Sequence, residues 1–349
     1  MNENIKHQGR IAQTGIYLGK LFRLFVFQSD WKVLPMSAVI AALVSLVVAQ
    51  NLNKTMEGTL MGAFAISCIC IWNGCFNSIQ SVCRERSIVK REHRAGLHMT
   101  AYVAANMIYQ AVVCLAQSVI TIQMMKLSKV AFPGISYVTG NPALDMLITI
   151  FLIHYSADIL SLFVSSVVRS TTTAMTVMPF ILIFQLIFSG GFFSLSEKVM
   201  PVTNATVSKW GLTALCSEGN YNDLPMVSLW NSLFAMKDTE IEGVKPYEIM
   251  IERTKDISDE DIDDLVEGGM LSQEDAAEIR KYREEDPDYA GELFLRAKVM
   301  QKTAESNYKP QYVSTRENII KCWTMMAMFA LIFGILSVVA LEFIDKDKR

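Results

Sequence analysis

Hydrophobic residues in this chain gather into long runs instead of alternating with polar ones. Six stretches come near the ~20 apolar residues needed to cross a hydrocarbon core. They lie at about Val33–Gln50, Leu60–Val82, Tyr102–Met125, Ala143–Val168, Thr172–Phe193 and Ile319–Ile344. The links Asn51–Glu57 and Arg169–Thr171 are so short that the spans they join must run antiparallel. The pattern predicts an all-α membrane protein with six transmembrane helices.

Ahead of the first span, Ile11–Phe27 places Leu18, Leu21, Phe22 and Phe25 on one helical face, with Lys20 and Arg23 interspersed. This reads as an amphipathic helix on the membrane surface. The other reading is the start of the first span, against which Lys20, Arg23, Asp30 and Lys32 argue.

The longest polar stretch lies between the fifth and sixth spans. Ser258 and Ser272 each precede acidic residues, the pattern of a capped and charged helix start. Gly268 and Gly269 stop the first helix, and Asp286 and Pro287 interrupt the second. A small helical domain follows, roughly Lys245 to Ser306. The acidic run Asp259, Glu260, Asp261, Asp263 and Asp264 lacks the glycine and ligand spacing of a calcium loop and reads as a solvated helix start. The chain thus divides into an N-terminal part with the surface helix (1–32), five spans (33–193), a loop with a re-entrant part and the helical insertion (194–316), and the last span with its tail (317–349).

Composition agrees. Of 349 residues, 51% are hydrophobic and 19% charged. The net charge of −3 conceals an acidic segment from about Leu195 to Arg316 and a basic remainder. Lysine and arginine flank one set of span ends: Lys6, Arg10, Lys20, Arg23 and Lys32, then Arg84 to Arg94, then Arg169, then Lys346 to Arg349. The short loops of the other set offer only Lys54, Lys126 and Lys129. By the positive-inside rule both termini are cytoplasmic and the insertion faces outward. The expected location is a plasma membrane, that of a bacterium. No basic, aromatic-interleaved patch suggests a nucleic-acid partner. Of seven cysteines, only Cys216 lies in the large polar segment, and Cys68 and Cys70 are too isolated for a metal motif.

No GxxxxGK[ST], HExxH, GxSxG or kinase signature occurs, so no catalytic residue is assigned. Two sets of polar residues inside the spans do ask for a role. Asn73, Asn77 and Gln80 recur at near-helical spacing in the second span and must face a partner helix or a cavity. His154 and Asp158 share a face of the fourth span. They read either as a structural pair or as the centre of a proton-coupled carrier, and a membrane sensor or scaffold that moves nothing is a further reading. The loop from Arg84 to Leu97 carries alternating charge on a helical pattern. Basic residues there suit lipid headgroups, but Glu85 and Glu92 suit docking onto a protein.

The runs Ile71–Ser78 (IWNGCFNS), Arg84–Arg86, Lys90–Arg94 (KREHR) and Ala101–Tyr102 resemble the ABC-2 type permeases, and most of all their ABCG or White subfamily. The run Ser165–Arg169, then Pro179 and Ile187–Leu195 (IFSGGFFSL), is similar to the same family. The similarity covers nearly all of the chain except the outer insertion. It implies the permease subunit of an exporter of hydrophobic or amphipathic cargo, paired with a second permease subunit. A separate ATPase would carry ATP and magnesium. The resemblance implies that the helix Glu85–Leu97 couples to that ATPase, through Glu85, Arg91, Glu92 and Arg94, with His93 departing from the family pattern. Ile11–Phe27 would be the connecting helix. Asn73, Phe76, Ile183 and Leu186 would line a central cavity. Gly191, Phe192 and Phe193 would form a hydrophobic plug above it, with Gly191 standing where the family often has leucine.

Overall fold

Apolar stretches this long can satisfy their backbone groups in lipid only as helices, and all regular structure among the described residues is helical. The computed structural model describes residues 9–27, 30–191, 197–240, 245–254 and 257–343. In chain order the helices are α1 (Arg10–Phe27), α2 (Val33–Val48), α3 (Met56–Ser78), α4 (Ser81–Arg94), α5 (Met99–Leu127), α6 (Pro142–Val167) and α7 (Thr171–Ile187). Then come α8 (Met200–Thr203), α9 (Val207–Glu218), α10 (Ser228–Ala235), α11 (Pro246–Glu252), α12 (Asp259–Glu267), α13 (Gln273–Glu285), α14 (Pro287–Ser306) and α15 (Arg316–Glu342).

Polar side chains fix where these helices begin. Thr55, Asn141, Ser170 and Thr315 accept a backbone N–H at the starts of α3, α6, α7 and α15. Ser258, Ser272 and Asp286 do the same for α12, α13 and α14. Each such cap stabilises its helix by about 1 kcal/mol.

Among the described residues four helical stretches are long and apolar enough to cross a membrane: the one beginning with α3, then α5, α6 and α15. The helices α2 and α7 are apolar but have only 16 and 17 residues. At 1.5 Å rise each is somewhat shorter than the ~30 Å hydrocarbon core. The sequence pattern extends the fifth span to Phe193, whereas α7 ends at Ile187.

The inner face of α3 presents small residues, Gly62, Ala63, Ser67, Cys70 and Gly74, all buried. Small residues let helix backbones approach closely, the usual basis of packing in lipid. At Gly74 the approach leaves no room. An added Cβ would fall deep inside contact with the His154 carbonyl oxygen and 3.2 Å from the Ala157 Cβ of α6.

Packed among α3, α6 and α15 is α9, in which every residue except Lys209 is buried. Its Gly211 faces Ile153 at a distance no larger side chain could keep. Ser208 and Thr206 bond back to α7 through Gln185 and the Phe188 carbonyl. Following α7 in this way, α9 folds back into the bundle.

The two ends of the bundle are tied differently. At one end Asn53 bonds the Ala131 carbonyl, Met56 N–H the Pro225 carbonyl, Tyr137 the Asn220 side chain, and Asn318 the Ser217 hydroxyl. The opposite end is built around α4. The helices α12, α13 and α14 enclose their own core of Ile262, Leu265, Ile279 and Phe294, while Trp230, Tyr247, Ile251 and Leu295 join α10 and α11 to α14.

Candidate functional site

The second apolar run does not continue smoothly into the charged loop. The helix breaks at Ile79 and Gln80, and α4 restarts at Ser81. A restart leaves backbone N–H groups without helical partners. Two of them, on Val82 and Cys83, donate to Ser165 Oγ at 3.1 and 3.2 Å. Arg86 completes the joint, its Nη1 donating to the carbonyl oxygens of Ser166 at 2.9 Å and Val168 at 3.2 Å. Those carbonyls close α6, so the guanidinium cation also meets the negative end of that helix. The start of α4 is therefore bound to the end of α6.

The other side of α4 is braced by α1. Lys20 donates to Glu85 of α4 at 3.0 Å, while Tyr17 seats α1 on α5 by meeting Tyr102 edge to face at 5.4 Å. Gln13 donates to the Gly96 carbonyl at 3.1 Å and accepts from His98 N–H at 2.9 Å. This turn needs Gly96, whose φ of 104° belongs to the left-handed region.

The four residues expected to couple do not form one cluster. Glu85 is engaged with Lys20. Arg91 and Arg94 are exposed. Glu92 is half-buried, one carboxylate oxygen meets no hydrogen-bond partner, and burial raises its carboxyl above the usual range. His93 sits with Nδ1 3.0 Å from the Leu97 carbonyl oxygen. Sequence reasoning did not find the joint in which Ser165 receives the Val82 and Cys83 N–H groups and Arg86 bonds the Ser166 and Val168 carbonyls. The short run of serines at the end of the fourth span was its only trace.

The residues expected at the cavity divide. Phe76, Ile183 and Leu186 are exposed, at 43%, 54% and 39%. Phe76 stacks on the equally exposed Trp72 at 5.5 Å, and Phe180 and Phe184 extend the face on α7. Asn73 is buried instead and donates to Ser37 of α2 at 3.2 Å. Asn77 pairs reciprocally with Gln117 of α5, at 2.9 and 3.2 Å. Gln80, at the break, lines a cavity of about 320 Å³ with Phe76, Glu85, Tyr102, Asn106 and Gln110. Of the expected plug, Gly191 is buried against Leu212 and Phe64, where a Cβ would come within 2.7 and 2.9 Å. Phe192 and Phe193 lie outside the described residues.

His154 and Asp158 are both fully buried and turn to different partners. His154 Nδ1 lies 3.1 Å from Ser118 Oγ and 3.0 Å from the Ile150 carbonyl. Asp158 accepts from Cys114 at 3.2 Å and Asn77 at 3.4 Å. Both side chains thereby fasten α6 to its neighbours α3 and α5.

Two comparisons bear on this arrangement. Residues 18–207, more than half of the chain, match the family described as ABC-2 type transporter. A stretch of 146 residues is 25% identical to the ABC transporter ATP-binding/permease protein Rv1747 of Mycobacterium tuberculosis. That match covers 41% of this chain and 17% of the relative's length.

Proposed function

Because the chain belongs to the ABC-2 type transporter family, we propose that it is the membrane-spanning permease subunit of an ABC exporter, driven by an ATPase on a separate chain. ATP and magnesium bind on that partner. In this reading α2 and α7 also cross the membrane, giving six spans with both termini cytoplasmic and the insertion outside. The likeness to ABCG or White permeases belongs to the same proposal.

The observation that carries it is the bracing of α4. A charged helix bonded to the end of α6 and clamped by α1 passes a push into the bundle instead of flexing. Arg91, Glu92 and Arg94 form the face offered to the ATPase, and Glu85 holds α4 to α1. Glu92 is half-buried on that face, and its carboxylate is incompletely hydrogen-bonded.

Two permease copies, or this chain and a close relative, meet through the exposed faces of α3 and α7. Phe76, Ile183 and Leu186 then line a cavity for hydrophobic or amphipathic cargo, with Asn73 holding the wall behind them to α2. Gly191, Phe192 and Phe193 close it above. ATP-driven closure of the ATPases shifts the cavity between inward-facing and closed or outward-facing states through differential contacts with α4.

The test begins with recovery of the ATPase from native membranes in mild detergent, followed by reconstitution of the complex. Glu92→Gln and Arg94→Ala are expected to leave ATP hydrolysis running while transport falls. Full transport by both variants would count heavily against the assignment.

A further inference from the structure

Lys209 is the single residue of α9 that is not buried, and its position is informative. Its ammonium group lies 4.7 Å from the centre of the Trp210 ring, and Lys321 of α15 lies 5.9 Å from the same ring. Two cations thus share one indole. Among the described residues neither forms an ion pair, and Lys209 has only the neutral Asn204 side-chain oxygen as a hydrogen-bond partner. Among the described residues Glu317 of α15, one helical turn before Lys321, forms no ion pair with it, and Glu218 at the far end of α9 bonds Thr149. Burial and the neighbouring Lys321 charge both press Lys209 below the usual lysine range. Like charges held together with no counter-charge are unfavourable, so the arrangement calls for an anion.

The level of the pair in the bilayer is set by α15. Lys321 is the last charged residue before Cys322–Leu341, a stretch without any charge. That stretch matches the ~30 Å hydrocarbon core at 1.5 Å per residue. Lys321 therefore stands at the headgroup boundary, where tryptophans such as Trp210 and Trp323 also collect. Trp210 is anchored there, its Nε1 donating to the Asn204 carbonyl at 2.9 Å.

We propose that Lys209, Lys321 and Trp210 form a binding site for the phosphate of an anionic phospholipid. The two ammonium groups hold the phosphate oxygens, and the buried indole between them fixes where they stand. The site does not depend on the exporter reading, since it requires only that α15 cross the bilayer.

The full chain purified in mild detergent is titrated with phosphatidylglycerol and, separately, phosphatidylcholine, and bound lipid is counted by native mass spectrometry. The wild type is expected to prefer phosphatidylglycerol. Lys209→Gln with Lys321→Gln is expected to lower that preference by roughly fivefold or more, given the usual strength of lysine–anionic lipid contacts. Lys281→Gln with Lys302→Gln, on α13 and α14, is expected to leave it intact, as is the charge-preserving pair Lys209→Arg with Lys321→Arg. Retention of the preference by the double glutamine variant would overturn the proposal. So would displacement of the lipid by millimolar inorganic phosphate, which would mark a site for a free anion. If the glutamine variant does not fold, neutralising Lys321 alone must still lower the preference for the proposal to stand.

Discussion

The guanidinium of Arg86 lies 2.9 Å from the Ser166 carbonyl oxygen and spans the gap between α4 and α6. A charge-assisted bond to a part-buried carbonyl contributes on the order of 1.5–3 kcal/mol. Arg86→Ala is expected to speed amide exchange over α4 while α3 and α5 keep their protection. Lys at this position restores the charge without the rigid planar guanidinium that fixes Nη1 between the two carbonyls, and so recovers part of the protection. Hydrogen exchange on the detergent-solubilised chain measures both.

Gly74 permits α3 to touch the backbone of α6. Gly74→Ala puts a methyl group where the His154 carbonyl stands, and neither backbone can yield cheaply. A loss of about 1–3 kcal/mol is expected, the usual cost of overpacking. It would be read as a lowered midpoint of thermal unfolding in detergent. Gly19→Ala, where a Cβ meets nothing, is the control and should not lower it.

Glu92 gives stability a pH dependence of known sign. Burial raises its folded carboxyl above the unfolded value, so the folded state holds the proton more tightly. Its contribution is fully present below the ordinary carboxylate range and is lost as pH rises through the raised folded value. Glu92→Gln is expected to remove this part of the slope and to stabilise the isolated chain at neutral pH. Melting curves across the acidic range, wild type against variant, test it, and an identical slope would contradict it.

The exposed α7 face makes a claim about assembly. Ile183→Cys is expected to cross-link two copies in native membranes under mild oxidation, because cysteines bridge only when their Cβ atoms approach to about 4 Å. Ile335→Cys, equally exposed on α15, is expected to remain monomeric. Non-reducing electrophoresis distinguishes the two.

Ser272 accepts the Asp275 N–H at 3.0 Å to start α13. Ser272→Ala is expected to cost about 1 kcal/mol locally. The measurable result is faster proteolytic nicking between α12 and α13, with α3 and α6 untouched.

What the sequence disclosed follows from the range of the forces involved. Caps act over three residues, so Ser258 and Ser272 were readable as helix starts. Apolar runs located α3, α5, α6 and α15 to within about four residues. The break at Ile79 and Gln80 was not readable, because the group that satisfies the restarted helix is Ser165, 82 residues from Cys83. For the same reason the spacing of Asn73 and Asn77 indicated polar faces without saying that α2 and α5 would receive them. Helical spacing alone sets Glu85 and Arg94 on opposite faces of α4; what no local pattern records is that α1 docks against the Glu85 face. Phe76 and Ile183 show the reverse: their exposure is visible only after the rest of α3 and α7 has been packed.

The enclosure of α9 bears on how the chain is made. A helix packed against α3, α6 and α15 lacks one of its three walls while α15 is still unsynthesised. The ribosome must first produce all of α10 to α14. Until then α9 has only α3 and α6 to pack on, and truncation before Arg316 leaves its α15 side uncovered. Quality control that monitors the last span thereby reads the completion of the whole bundle.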